Sequence, residues 1–136
     1  YLSFDDGPDP VHTPELAAVL DRHEARGTFF LVGERLRAQP GLARFLVAAG
    51  HALANHSDKH PWFDRLPWAR QRQEIAAVDQ ALAQADGRTA HWFRPPHGRL
   101  SFRCLWAALV YATMLVLFNL AVDVLYRFID PRIEVG

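Results

Sequence analysis

Up to about residue 100, short apolar runs alternate with longer stretches in which apolar positions recur every third or fourth place. The first run, residues 1–4, predicts a short buried strand that ends at Asp5-Asp6-Gly7-Pro8, where glycine and proline force a turn. Thr13-Pro14-Glu15 carries the marks of a helix start: a capping hydroxyl, a proline in the first turn and an early acid. That helix is predicted to run to about residue 24 and to stop before Gly27. Residues 28–32 are β-branched or aromatic and predict a second strand. A short helix over 41–49 stops at Gly50, and a third strand follows over 52–54. Ile75, Val78, Leu82 and Ala85 then mark one face of a helix over 67–85, which Gly87 ends. Trp92-Phe93 opens a further strand. Strands alternating with helices predict an α/β fold built on a parallel sheet or an incomplete barrel.

After Arg103 the pattern changes. Residues 105–122 are 18 in a row without a charge, about 27 Å as a helix and close to the hydrocarbon thickness of a bilayer. Arg103 precedes the run, and Asp123, Arg127, Asp130 and Arg132 follow it. The expectation is a long apolar helix that spans a membrane, with membrane contact over 105–128. The chain thus divides into residues 1–100 and 101–136. Arginines flank both ends of the run, so the positive-inside count does not choose an orientation.

Composition adds little to this picture. Fifteen basic residues balance fifteen acidic ones over 136 positions, so no net field favours nucleic acid, and none is expected as a partner. The single cysteine, Cys104, cannot form an intrachain disulfide and says nothing about compartment. The chain starts at Tyr1, inside a predicted strand, which reads as a fragment with any signal peptide upstream.

Three groups of residues at predicted strand ends carry candidate chemistry. Asp5 and Asp6 are like charges side by side, tolerable when a cation screens them. His56 and His60 lie four apart, so one turn of helix would put both imidazoles on the same side. Two histidines and one aspartate make a three-ligand set with positions left for water and substrate. The second carboxylate can then take a proton from that water. In Phe93-Arg94-Pro95-Pro96-His97-Gly98 the prolines stiffen the loop. Arg94 can orient a carboxylate, and the His97 N–H can point at an oxyanion. Each group also has a plain reading: solvated histidines, a turn acid, a rigid loop with a solvated arginine. Their joint occurrence favours the metal reading. His12, His23, His51 and His91 have no matching partners and read as surface or structural residues.

Leu2-Ser3-Phe4-Asp5-Asp6-Gly7-Pro8, Gly27-Thr28-Phe29-Phe30-Leu31-Val32-Gly33, His56-Ser57-Asp58-Lys59-His60 and Arg94-Pro95-Pro96-His97-Gly98, in this order and spacing, resemble the polysaccharide deacetylase family, the fourth family of carbohydrate esterases. The resemblance implies a distorted (β/α) barrel, here incomplete, and a divalent metal, commonly Zn2+, with Co2+, Ni2+ or Mn2+ as alternatives. It implies hydrolysis of N-acetyl groups from amino sugars of peptidoglycan, chitin or a similar polymer, and hence a place at the cell envelope. By position, Asp5 resembles the general base. Asp6, His56 and His60 resemble the metal ligands, Arg94 the residue orienting the base, and the His97 N–H part of the oxyanion hole.

The resemblance breaks after Gly98. The family has two later motifs: an aspartate and a tryptophan that buttress the arginine, and a leucine-flanked histidine serving as general acid. No histidine follows His97, so a catalytically impaired metal- or sugar-binding remnant is the alternative. Residues 117–133, with Asn119, Asp123, Tyr126 and Asp130-Pro131-Arg132, resemble the C-terminal end of oligopeptide ABC-transporter permeases. That second resemblance implies a fusion, a frameshift or an assembly error near residue 100, and, if the permease-like end stays cytoplasmic, a domain held at a membrane and facing outward. A permease fragment is the third reading.

Overall fold

The computed structural model describes residues 2–99 and 102–129, and within the last helix only some of the side chains. The chain forms two compact units, Tyr1–Arg99 and Leu100–Gly136.

In the first unit, β1 (Leu2–Gly7), β2 (Gly27–Leu31) and β3 (Ala52–Asn55) form a parallel sheet in that order. Its connections carry α1 (His12–Arg22), then α2 (Gly33–Ala38) and α3 (Pro40–Ala48); α4 (Trp68–Asp86) follows β3. The sequence pattern missed α2, a six-residue helix too short to show a period of its own. Parallel pairing puts the C-terminal ends of all three strands at one edge of the sheet, where open α/β folds place their chemistry. Phe29, Leu31 and Leu53 from the sheet pack with Ala17 and Leu20 of α1, Leu36 of α2, Ala43 and Leu46 of α3, and Val78 and Leu82 of α4.

Three expectations change. Leu2 is 48% exposed, because among the described residues β1 pairs with β2 alone and forms an edge; it is not buried, and Tyr1 lies outside the described residues. The first helix is capped by Asp9 rather than Thr13. The Asp9 carboxylate accepts from the N–H groups of Val11 and His12 at 2.9 and 2.8 Å, which holds its pKa below the ordinary value. The Thr13 hydroxyl is buried and accepts from the Asp9 N–H. The strand expected at Trp92-Phe93 is a single parallel bridge from Phe93 to Asn55. The prolines at 95 and 96 have no N–H to extend that ladder.

His51 is buried and accepts at Nδ1 from the Gly27 N–H, 3.3 Å away, tying the start of β2 to the segment before β3. Burial, with the Arg26 charge, pushes its pKa below the ordinary value. The folded state therefore prefers the neutral ring. His51 contributes stability that is complete above the unfolded value near 6.5 and is lost as pH falls from there toward the lowered one. In urea melts at pH 7.5 and 5.5, His51→Gln is expected to flatten the fall in midpoint relative to the parent; an unchanged fall would remove His51 as its source.

In the second unit, α5 (Phe102–Ile129) is a 28-residue helix. Leu109, Val110, Met114, Leu115, Val116, Leu117 and Phe118 are all exposed apolar positions on it. Among the described residues, no helix is long and apolar enough to cross a membrane. The long helix is thus present, whereas the membrane span expected over 105–122 and the membrane contact over 105–128 are not supported. On this helix the Thr113 hydroxyl donates back to the Leu109 carbonyl at 2.8 Å. Asp130-Pro131-Arg132, which the permease resemblance relied on, lies outside the described residues.

Candidate metal centre and active site

Alternation along a strand sends neighbouring side chains to opposite faces. The β1–β2 register shows how Asp5 and Asp6 nevertheless serve one site. Phe4 pairs with Phe29 and Gly7 with Leu31, so β1 carries one residue more than β2 over that interval. This is a bulge, and Asp6 takes a left-handed φ of 65° within it. Ser3 and Asp5, two apart on one face, both meet Arg94. Asp6 is turned back toward the histidines.

Asp6 Oδ1 lies 3.0 Å from His60 Nε2 and 3.4 Å from His56 Nε2. One potential ligand atom from each of the three residues falls within 4.8 Å of the others. His56 is 3% exposed, and its Nδ1 is 2.8 Å from the Arg94 carbonyl. A carbonyl only accepts, so Nδ1 carries the proton and Nε2 turns a lone pair toward Asp6. One carboxylate oxygen and two imidazole nitrogens thus converge on a shared point, a donor set that fits a divalent cation. Burial holds the His60 pKa below its ordinary value; the Asp6 carboxylate opposes this, and His56, His97 and Arg35 reinforce it. The neutral, ligating form of His60 is favoured accordingly.

The two histidines do not share a helix, as their spacing implied. Residues 56–60 form an irregular loop in which Ser57 and His60 adopt φ of 68° and 54°. The loop is held from within and from behind. The Ser57 hydroxyl accepts from the His60 N–H at 3.1 Å, and Asn55 Oδ1 accepts from the Ser57 N–H at 2.9 Å. Glu74 of α4 accepts from the N–H groups of Asp58 and Lys59 at 3.1 and 2.8 Å. Asp6, Ser57, His60 and His97 are four of the five described non-glycine residues with positive φ, so strain is concentrated at this site.

Arg94 donates to Asp5 Oδ1 at 2.6 Å and to the Ser3 hydroxyl at 3.1 and 3.2 Å, while its guanidinium lies 3.9 Å over the Phe30 ring. Three surfaces thus fix the arginine, and through it Asp5. His97 has φ 58°, and its ring stacks on Trp62 with centroids 4.0 Å apart. Asp5, Asp6, His56, His60, Arg94 and His97 all line one cleft of about 350 Å³.

Sequence reasoning missed Ser3, Asn55 and Glu74. Glu74 had a signal: it stands four and eight residues before Val78 and Leu82, a charge on the buried stripe of α4, where a carboxylate needs partners. Glu74→Ala is expected to cost about 1–3 kcal/mol, the typical penalty for stranding buried donors. It should also weaken divalent-metal binding by about 10–100-fold, as loss of an outer support typically does. Glu74→Gln keeps an acceptor and should recover most of both, read by urea melts and metal titration. Equal metal affinity in parent and Glu74→Ala would show that the loop needs no such brace.

Gly33 is constrained by contact. A Cβ there would fall inside van der Waals distance of the Asp58 carboxylate and 2.7 Å from a methyl of Val78. The Gly33 and Glu34 N–H groups bond to the carbonyls of Ser57 and Asp58 at 3.0 and 2.9 Å, so α2 begins pressed against the histidine loop.

The sequence model of the polysaccharide deacetylase family matches residues 1–112. A chitooligosaccharide deacetylase from Bradyrhizobium sp. is 34% identical over 133 residues, 97% of this chain and 57% of the relative. A solved peptidoglycan N-acetylglucosamine deacetylase superposes with a TM-score of 0.73 at 31% identity, covering 75% of this chain and 48% of the other. A solved pseudoenzyme of the fourth carbohydrate esterase family from Bacillus anthracis gives 0.70 at 25% identity, over 74% and 36%. The chain spans little more than half the length of the chitooligosaccharide deacetylase it matches. The alignment to that relative runs through nearly the whole chain, and the family match continues to residue 112. A foreign, permease-like tail joined near residue 100 is therefore not supported: the early turns of α5 lie inside the family match.

Proposed function

The chain belongs to the polysaccharide deacetylase family, and from that premise we propose that residues 1–100 carry the catalytic cleft of a metal-dependent hydrolase that removes N-acetyl groups from amino sugars of a chitin- or peptidoglycan-type polymer. The observation that carries this reading is the convergence of the Asp6, His56 and His60 ligand atoms beside an Asp5 carboxylate held by Arg94. Asp6, His56 and His60 would hold the ion, Zn2+ first among Co2+, Ni2+ and Mn2+. When bound, such an ion supplies Lewis-acid activation of water and of the amide carbonyl.

The chain's own residues do the rest. Asp5, oriented by Arg94, which Ser3 in turn anchors, accepts the proton of the attacking water. The His97 N–H donates to the negative oxygen that develops on the acetamide carbon. The stacked ring of Trp62 holds the His97 segment against the cleft. Because the polymers named lie outside the cytoplasm, the cell envelope is the proposed place of action.

A second reading is a family member that binds metal and sugar without turnover. It is favoured by the likeness to a solved pseudoenzyme of the same family. Acetate release from chitotetraose and from peptidoglycan fragments, with zinc or cobalt added and again after chelation, separates the two. Metal-dependent release supports the hydrolase. Metal binding with no release on either substrate overturns it in favour of the second reading.

A further inference from the structure

Beside the cleft just described, and sharing Asp6 and His60 with it, lies a second cavity of about 380 Å³ lined also by Glu34, Arg35 and Lys59. Both cations are exposed, but their settings differ. The Arg35 guanidinium donates to the backbone carbonyl of Asp6, which anchors it at the edge of the ligand triad. Its field reaches the His60 ring. Among the described residues the Lys59 ammonium has no ion-pair partner, whereas the neighbouring Arg37 is bound to Asp58 at 2.6 Å. Glu34 is the acid on the same wall. A guanidinium uses five donors in a planar fork that matches carboxylate or phosphate oxygens, and only one of them is engaged by the Asp6 carbonyl.

Resting on the deacetylase reading, we propose that this second cavity is a subsite for an anionic substituent, a carboxylate or a phosphate, on the amino sugar presented to the triad or on its neighbour. Asp6 and His60 belong to both cavities, so a glycan with its acetamide at the triad has its next substituent within reach of Arg35 and Lys59. A neutral chitin-type chain fills the subsite without answering its charge.

The test uses the full chain loaded with zinc and three disaccharides. These are diacetylchitobiose, its O6-phosphorylated form, and the N-acetylglucosamine–N-acetylmuramic acid disaccharide with its carboxylate. Both Kd by calorimetric titration and kcat/KM for acetate release are measured at low salt. At least one anionic disaccharide is expected to bind about fivefold tighter than the neutral one, the size expected of partly exposed charge pairs, and which one does identifies the group. Lys59→Gln should erase most of that preference and Glu34→Gln should enlarge it; damage to the triad would instead scale all three ligands together. Equal binding of charged and neutral disaccharides, or variants that move all Kd values by one factor, would overturn the subsite. Preferential binding with no acetate release would uphold the subsite and overturn the deacetylase reading.

Discussion

Asp5→Asn is expected to lower acetate release by about 10²–10⁴-fold, the usual contribution of a general base, while zinc binding stays within a few-fold of the parent. The asparagine has the same shape and can still accept one hydrogen bond from Arg94, so orientation survives and proton acceptance does not. Asp5 touches Arg94 and is not one of the three converging ligands, which is why the metal should remain. The check is parallel: kcat/KM on a chitooligosaccharide and metal content by titration with a chromophoric chelator. Near-parental turnover would remove Asp5 from the base role. Loss of metal together with turnover would mean that Asp5 and Asp6 had been assigned the wrong way round.

His56→Ala is expected to have the opposite signature, losing metal first. His56 is the most buried of the three candidate ligands, and its ring is locked by the bond from Nδ1 to the Arg94 carbonyl. Removing it takes away a ligand, and the loss of affinity should exceed the roughly 10–100-fold typical of an outer support. The same change strands the Arg94 carbonyl and weakens the tie between the histidine loop and the arginine segment. Turnover should therefore stay low even at saturating zinc. Full rescue by added zinc would show that His56 acts only as a ligand and that its link to Arg94 is dispensable. Parental zinc affinity would exclude His56 from the metal set altogether.

The two variants probe the parts of the site that differ in legibility. Asp5-Asp6, His56 with His60, and Arg94 with His97 are visible along the chain because each follows a run with strand character, and strand ends of a parallel sheet share one edge. The brace behind them is not visible in that way. Asn55 reads as the end of a strand, Ser3 as a strand residue and Glu74 as one more polar position on a helix. Each acquires its role only from a partner between 2 and 91 positions away in sequence.

The sequence by itself determined the alternation of strands and helices, the stripe of Val78 and Leu82, and the residue types needed for a cation and its base. Those are local matters of periodicity, turn chemistry and charge. Only the tertiary structure decided that one extra residue in β1 turns Asp6 toward the histidines, and that an irregular loop, not a helical turn, brings His56 and His60 together. It also decided that β1 is an exposed edge and that Glu74 faces inward. The physical reason is the same in each case. Bulges, left-handed φ values and buried carboxylates are costly locally, and they persist because contacts from distant segments compensate for that cost.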